Sequence, residues 1–343
     1  MRAGDLITAQ DYLDAGAQSA RNRGILPNLS TGLRNLTQCR GSLGEVEAAR
    51  KSAETAAMIA AIKHPLMTAL SIDPSADLWK CEAHRGWVSF LGGDTPAAEA
   101  EFTAADRLHY TSRREGEGGH MFSLPGIWWG EFLARTGRSE PARWLTKRNY
   151  TISLETGSNS DVARSERLLG YLDLAAGDIG SAGRRLTAAA ATFRDGDYLV
   201  ELAATLPVLA DFTRARGDLD AADRYVEEAM TIAGPRGLLL SQAVALTVRA
   251  RAYADRVASG SRDHLWRGRD AAEAALRIAT RHRLSWQELD ALDAHVRLDK
   301  VEGVDHGWRP QATALRTRLI PAGLDPDPSA TVELRGRWPT NRQ

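Results

Sequence analysis

The sequence predicts an all-α fold, a right-handed α-α superhelix of about seven helical hairpins, on three observations. A Gly-Asp pair recurs between helical segments, small residues recur at fixed offsets after it, and the alternation of β-branched residues expected of strands is almost absent. The clearest copies are LDLAAGDIGSAGRRLTAAAATF and VLADFTRARGDLDAADRYVEEAMTI, in which Gly177-Asp178 and Gly217-Asp218 hold the same place. Glycine adopts the left-handed conformation that closes a helix, and the aspartate after it accepts backbone N–H groups to start the next one. Ala182 and Ala189, like Ala222 and Ala229, are two helical turns apart and share one face, so a neighbouring helix can approach closely.

Taken in order, the hinge glycines are Gly4, Gly44, Gly93, Gly137, Gly177 and Gly217, spaced by 40, 49, 44, 40 and 40 residues, with a looser hinge near Gly260. The fifth position after each of the first six is alanine (Ala9, Ala49, Ala98, Ala142, Ala182, Ala222), and the twelfth is small except at Asn149. Gly268 and Ala275 keep the same seven-residue pair in the last recognisable unit. The helix that should precede Gly4 is missing, which leads us to expect a longer polypeptide or a split partner that supplies it. Pro65 and Pro74, in the connector IKHPLMTALSIDPSADLWK, are expected to end helices and so to account for the long second step.

The next helix, LWKCEAHRGWVSFLGG, buries Leu78, Trp87, Val88 and Leu91, and the run TSRREGEGGHMFSLPG is the most loop-like insertion. From Glu131 to Ala233 the array is most regular. The helix DVARSERLLGYLDLAA places Val162, Leu168, Leu169 and Leu172 in the core with Arg164 and Arg167 offset from them. The last pair is read as RDAAEAALRIATRHR with SWQELDALDAHVRLDKVEG, and RPQATALRTRLI as a cap. Residues 1–320 thus form the array, and 321–343, proline-rich and poor in apolar side chains, form a mobile tail.

Composition narrows the function classes. Lys plus Arg is 44 and Asp plus Glu is 44, so no global field recruits nucleic acid or an anionic membrane. No run of about eighteen apolar residues is present, and an acid at Asp5 precedes any signal-like apolar stretch. Two cysteines, Cys39 and Cys81, give no disulfide framework, so the expected home is a reducing cytoplasm.

Chemistry-bearing motifs are sparse. No GxxxxGK[ST] loop, GxSxG elbow, HExxH or paired CxxC occurs. Cys81 and His84 have the i, i+3 spacing of two ligands on one helix face, but no further ligands lie nearby, so no metal and no cofactor are expected. The eight histidines lack an acid and a nucleophile at relay spacing, and no enzymatic activity is expected.

Binding is the remaining class. First helices of hairpins commonly line the inner surface of such arrays, and the polar or aromatic residues interrupting them are Asn35, His84, Trp129, Arg164, Arg167, Asp211 and Arg249. These form the candidate partner-binding face for a protein or peptide. The second reading is a small-molecule or signalling-peptide pocket near residues 111–129, built from Trp128, Trp129 and His120. Consecutive helical residues point about 100° apart, so one of the paired tryptophans packs between helices and the other faces the concave or edge surface.

The repeats resemble degenerate tetratricopeptide (TPR) repeats of long period. The unit around RSERLLGYLDLAAGDIG, with Arg164, Arg167, Leu168, Leu169, Gly170 and Gly177-Asp178, is similar to the C-terminal repeat domains of bacterial STAND signal-transduction NTPases. That resemblance implies a sensor joined to an upstream NTPase module, in the same or a neighbouring chain, and places any ATPase activity outside these residues.

Overall fold

In the computed structural model, residues 5–69, 75–111 and 120–320 are described, and these form fifteen α-helices, one short 3-10 turn and no strand. A single helix, α1 (Leu6–Asn22), precedes seven hairpins. They are α2 (Leu26–Leu43) with α3 (Val46–Ala69), α4 (Ser75–Leu91) with α5 (Thr95–Thr111), α6 (Ser123–Arg135) with α7 (Ser139–Glu155), and α8 (Asn159–Ala175) with α9 (Ile179–Asp195). The last three are α10 (Leu199–Ala215) with α11 (Leu219–Ala233), α12 (Leu239–Ala258) with α13 (Leu265–His282), and α14 (Ser285–Glu302) with α15 (Trp308–Leu319). Gly4, Pro74, most of the insertion before α6 and the tail 321–343 lie outside the described residues.

The hinge chemistry is visible atom by atom. At Gly177 the backbone N–H groups of Gly177 and Asp178 donate to Leu174 and Asp173, at 3.1 and 2.9 Å, while Asp178 Oδ1 accepts from the Ser181 N–H at 3.0 Å. The first pair satisfies the closing carbonyls of α8 and the last bond caps α9. Gly44, Gly93, Gly137, Gly217, Gly260 and Gly303 repeat the positive φ; Gly303 is a seventh hinge that its altered GVDHG context hides in sequence. RPQATALRTRLI is accordingly the second helix of a last hairpin, and the pairing of RDAAEAALRIATRHR with SWQELDALDAHVRLDKVEG is corrected to α12 with α13 and α14 with α15.

The hinge is also only half of the period. Between hairpins the chain turns the same way at Gly24, Gly157, Asp197, Gly237 and Arg283, each at positive φ with the same pair of closing bonds. Because Asp197 and Arg283 stand where glycine would be expected, the shorter repeat is masked. Helices α7 to α10 are each 17 residues long, so turn and helix together recur every half-repeat.

The small positions do what their spacing requires: Ala49, Ala98, Ala142, Ala182 and Ala222 are fully buried between helices. The exception, Asn149, is a bracket. Its side chain accepts from the Ser123 N–H at 2.7 Å and donates to the Ser123 carbonyl at 2.9 Å, fixing the start of α6 where Ser123 takes φ 59°. Pro65 does not end its helix, contrary to expectation: α3 runs through it to Ala69, and Pro65, Ala61 and Ile62 are exposed. On that wet side water can hydrate the carbonyl that proline leaves unbonded, which lowers the cost of keeping it.

The array closes on itself. The turn after α2 meets the start of α12, with a Cβ at Gly44 lying 3.1 Å from Leu239 Cβ. One hairpin further on, the turn after α4 meets α14 and α15: Ser285 Oγ donates to the Gly92 carbonyl at 2.9 Å and Thr95 Oγ1 to the Leu319 carbonyl at 2.6 Å. Leu284, Trp286 and Leu319 join Val46, Trp87 and Leu91 in one buried cluster, and Leu6 of α1 packs with Leu43, Ala233 and Leu238 in another. The turns of hairpins one and two therefore meet hairpins six and seven.

Gly217 and Gly93 separate the two roles of these turns. Both have positive φ, but a Cβ at Gly217 meets nothing whereas one at Gly93 would lie 2.5 Å from Ser285 Cβ. Gly217→Ala should cost roughly 1 kcal/mol in chemical denaturation, the price of the left-handed conformation alone. Gly93→Ala should cost clearly more and enlarge the radius of gyration in X-ray scattering; equal effects of the two would contradict the closure.

Candidate functional site

Closure turns the concave face into a cavity of ≈ 280 Å³, lined by all seven inner helices α2, α4, α6, α8, α10, α12 and α14. At about 30 Å³ per water in the liquid it has room for about nine waters, a space suited to a small ligand or a few residues of extended chain. Lining positions slide along successive helices. They sit in the last turns of α2 (Gln38, Ser42) and α4 (Trp87, Phe90, Leu91), along α6 (Leu124, Trp128, Glu131, Arg135), and midway in α8 (Arg167, Leu168, Tyr171). They move to the first half of α10 (Val200, Glu201, Ala204, Val208) and the first turns of α12 (Leu240, Ser241, Val244) and α14 (Trp286, Gln287, Asp290). That drift is the superhelical tilt, the same tilt that brings the turn after α4 onto the start of α14.

An aromatic wall runs along one side. Trp87 and Trp128 stack with ring centroids 4.5 Å apart and planes 10° off parallel, and Phe90 lies 5.6 Å from Trp286. Trp87 fits because α2 has no side chain at Gly41, where a Cβ would stand 2.4 Å from the indole. Stacked rings of this kind add packing beyond the area they bury.

Two ion-pair networks form the polar part. Glu201 bridges both arginines of α8, accepting from Arg164 Nε and Arg167 Nη1, each at 2.8 Å. Arg164 also holds Asp161 at 2.6 Å, and Arg167 reaches Glu131 at 3.3 Å. Burial by itself would raise the Glu201 pKa, but the two guanidiniums outweigh it and hold the carboxyl at about 2. Glu131 goes the other way: burial raises it and its one long contact with Arg167 offsets that only in part. Across the cavity, Arg135 of α6 donates to Asp290 at 3.0 Å and to the Trp286 carbonyl at 3.2 Å on α14, with its guanidinium 5.1 Å from the Trp286 ring centroid. Arg251 links Asp290 to Asp211 at longer range, 3.8 and 4.0 Å.

Of the residues singled out from sequence, Arg167 and Trp128 line the cavity and Arg164 supports it through Glu201. Trp129, assigned to the concave face, instead is buried in the helical core, while its neighbour Trp128 faces inward. His84 lies behind Trp128, ring centroids 5.0 Å apart, with Nδ1 2.6 Å from the Lys80 carbonyl; burial pushes its pKa down to about 4. Asn35 and His84 fall too early on α2 and α4 to reach the cavity and Asp211 too late on α10, for the reason of tilt, whereas Arg249 is turned about α12 toward the outer helix α11. Asp211 pairs with Arg214 at 2.7 Å and Arg249 with Glu227 on the outer helix α11. His120 is buried against Asp106 at 2.9 Å and Trp144, and residues 112–119 of the alternative pocket near 111–129 lie outside the described residues.

The Cys81 thiol lies 3.7 Å from Ser30 Oγ and burial raises its pKa to about 11, so it is an inert packed group. Among the described residues no group of three or more metal-ligating side chains comes together, and no helix is long and apolar enough to cross a membrane. The inward residues missed from sequence, Trp87, Phe90, Glu131, Arg135, Tyr171, Glu201, Trp286 and Asp290, carry a partial signal. Trp87, Glu131 and Tyr171 each stand six residues before a hinge glycine. The late ones do not, because their depth is set by tilt.

The two glutamates should respond oppositely to neutralisation. Glu201→Gln strands two partly buried guanidiniums and should cost about 3–5 kcal/mol, whereas Glu131→Gln should be neutral or stabilising. Because the Glu201 pKa is depressed, its contribution is complete above the unfolded carboxylate value and is lost as pH falls toward 2. Denaturation midpoints of both variants measured from pH 7 to pH 3 check this; in Glu201→Gln that part of the acid dependence should vanish.

No known protein-family model matches the chain, and no curated protein matches it. Solved structures do. One is the crystal structure of a Rap protein complexed with Competence and Sporulation Factor, aligned at TM-score 0.55 over 92% of this chain and 97% of that one, with 10% sequence identity. At that identity the likeness is one of fold, and it identifies the chain as a TPR-like helical repeat superhelix.

Proposed function

We propose that this protein is a non-enzymatic sensor that captures a short peptide inside its closed superhelix. The observation that carries this is the cavity lined by all seven inner helices, with an aromatic wall on one side and charges already paired on the other. Such a lining suits a ligand that supplies apolar side chains to Trp87, Trp128 and Trp286 and backbone polar groups to Gln38, Ser241 and Gln287. Its arginines and carboxylates hold one another, which fits binding better than proton transfer. The fold likeness to a Rap protein solved with Competence and Sporulation Factor supports a peptide or protein as partner.

The resemblance of the RSERLLG unit to STAND sensor domains extends this proposal. Peptide capture would be read out by an NTPase module in the same or a neighbouring chain, in the cytoplasm. In that role ordering of the closed form by ligand would be the signal, because a ligand that binds only the closed state shifts the population toward it.

Selection of a random heptapeptide library on the immobilised chain tests the capture. Enriched peptides should bind in solution, raise the melting temperature by mass action, and lose at least about tenfold in affinity on Ala204→Trp, which fills the cavity, or on Tyr171→Ala. If no peptide enriches, or if both variants bind as the parent does, the cavity is not a peptide site. Binding of a free amino acid or other small metabolite with the same sensitivity would assign the cavity to a smaller ligand instead.

A further inference from the structure

A second concavity of ≈ 340 Å³ lies between α13, α14 and the start of α15, lined by Arg269, Asp270, Glu273, His295, His306 and Trp308. It is unrelated to the central cavity: His295 is nine residues after Trp286, two and a half helical turns, and so points to the opposite side of α14. Three features of this site have no structural use so far.

His295 is 2% exposed, and neither of its ring nitrogens has a hydrogen-bond partner among the described residues. Buried polar groups are nearly always paired, and leaving one unmade costs about 1–3 kcal/mol, so an imidazole with two unpaired nitrogens is out of place in a merely structural core. The ring lies flat against Trp308, centroids 4.3 Å apart and planes 19° off parallel. Its Nε2 faces Glu273 Oε2 at 3.8 Å, too long for a direct bond yet close enough for one donor placed between them to reach both.

The charge around the gap is unbalanced in one direction. Arg269 is consumed by Asp299 at 2.8 Å and by Glu302, so it does not neutralise Asp270 or Glu273. Apart from His295, the partner of Glu273 among the described residues is the exposed Arg277 at 3.8 Å. Burial lowers the His295 pKa from its usual value, which favours the uncharged ring, in which one nitrogen offers a lone pair. A group that donates hydrogen bonds, carries positive charge and tolerates an aromatic wall fits all of these conditions.

The geometry points to a second binding site between α13 and the last hairpin, for a primary ammonium group that donates to Glu273 and to His295 beside Trp308. Its source is either a free amine or a lysine side chain of a partner protein. Cadaverine and Nα-acetyl-lysine methylamide are the two probes, with Nα-acetyl-norleucine methylamide as the uncharged match in shape. Imidazole ¹H–¹⁵N correlations of His295, assigned by their loss in His295→Gln, give the readout.

A saturable shift of the His295 signals by either charged probe is expected, with affinity at least about tenfold weaker in Glu273→Gln. Glu273 is on the surface side of the site, and an unchanged circular dichroism spectrum confirms that this variant is folded. Equal response to both probes assigns a free amine; response to the lysine amide alone assigns a partner lysine. No saturable shift, an equal shift with the norleucine amide, or unchanged affinity in Glu273→Gln each overturns the site.

Discussion

The contact between the turn after α4 and the beginning of α14 governs the rest of this structure. Gly93 leaves room there for Ser285 and Leu319, and the bonds from Ser285 to the Gly92 carbonyl and from Thr95 to the Leu319 carbonyl close the spiral. Without that contact the seven inner helices would line an open groove. With it, Trp87 and Trp128 from one part of the chain and Trp286 from another meet around a common space, and Arg135 can span from α6 to Asp290 on α14. Closure depends on backbone approach as much as on apolar packing, so single added carbons at a turn are expected to be felt across the molecule.

The cavity combines rigidity with a low electrostatic commitment. Glu201 is locked by two arginines and Arg135 by Asp290 and a backbone carbonyl, so most charges there are already spent on one another. Such buried networks contribute little net stability, yet removing one member is expensive because its partners are left desolvated. They act as struts that keep the inner helices at fixed separations. Glu131 is the less compensated of the two glutamates, with one contact at 3.3 Å.

Much of the architecture could be read from the hinge. Gly-Asp pairs, alanines five residues on, and the exception at Asn149 all correspond to specific bonds or buried contacts. Half of the turns escaped notice because Asp197 and Arg283 occupy left-handed positions without being glycine, and Gly303 because its neighbours differ. Pro65 misled because a proline on a wet helix face costs less than one in a packed interior. For the site, Arg164 and Arg167 stood out as charges on an otherwise apolar helix, but their partner Glu201 lies a full hairpin away and nothing local marks it.

What the amino-acid sequence determined by itself is therefore local and periodic: helix, left-handed turn, small residue at a close crossing, repeated along the chain. These follow from backbone conformation and from 3.6-residue geometry, which act within a few residues. Only the tertiary structure decided which residues face the cavity, because superhelical tilt moves the inward position from the end of α2 and α4 to the start of α12 and α14. Tilt accumulates from every helix crossing in turn. A small rotation at each hairpin, invisible in any one repeat, is what sets Trp286 beside Phe90 and leaves Asp211 outside.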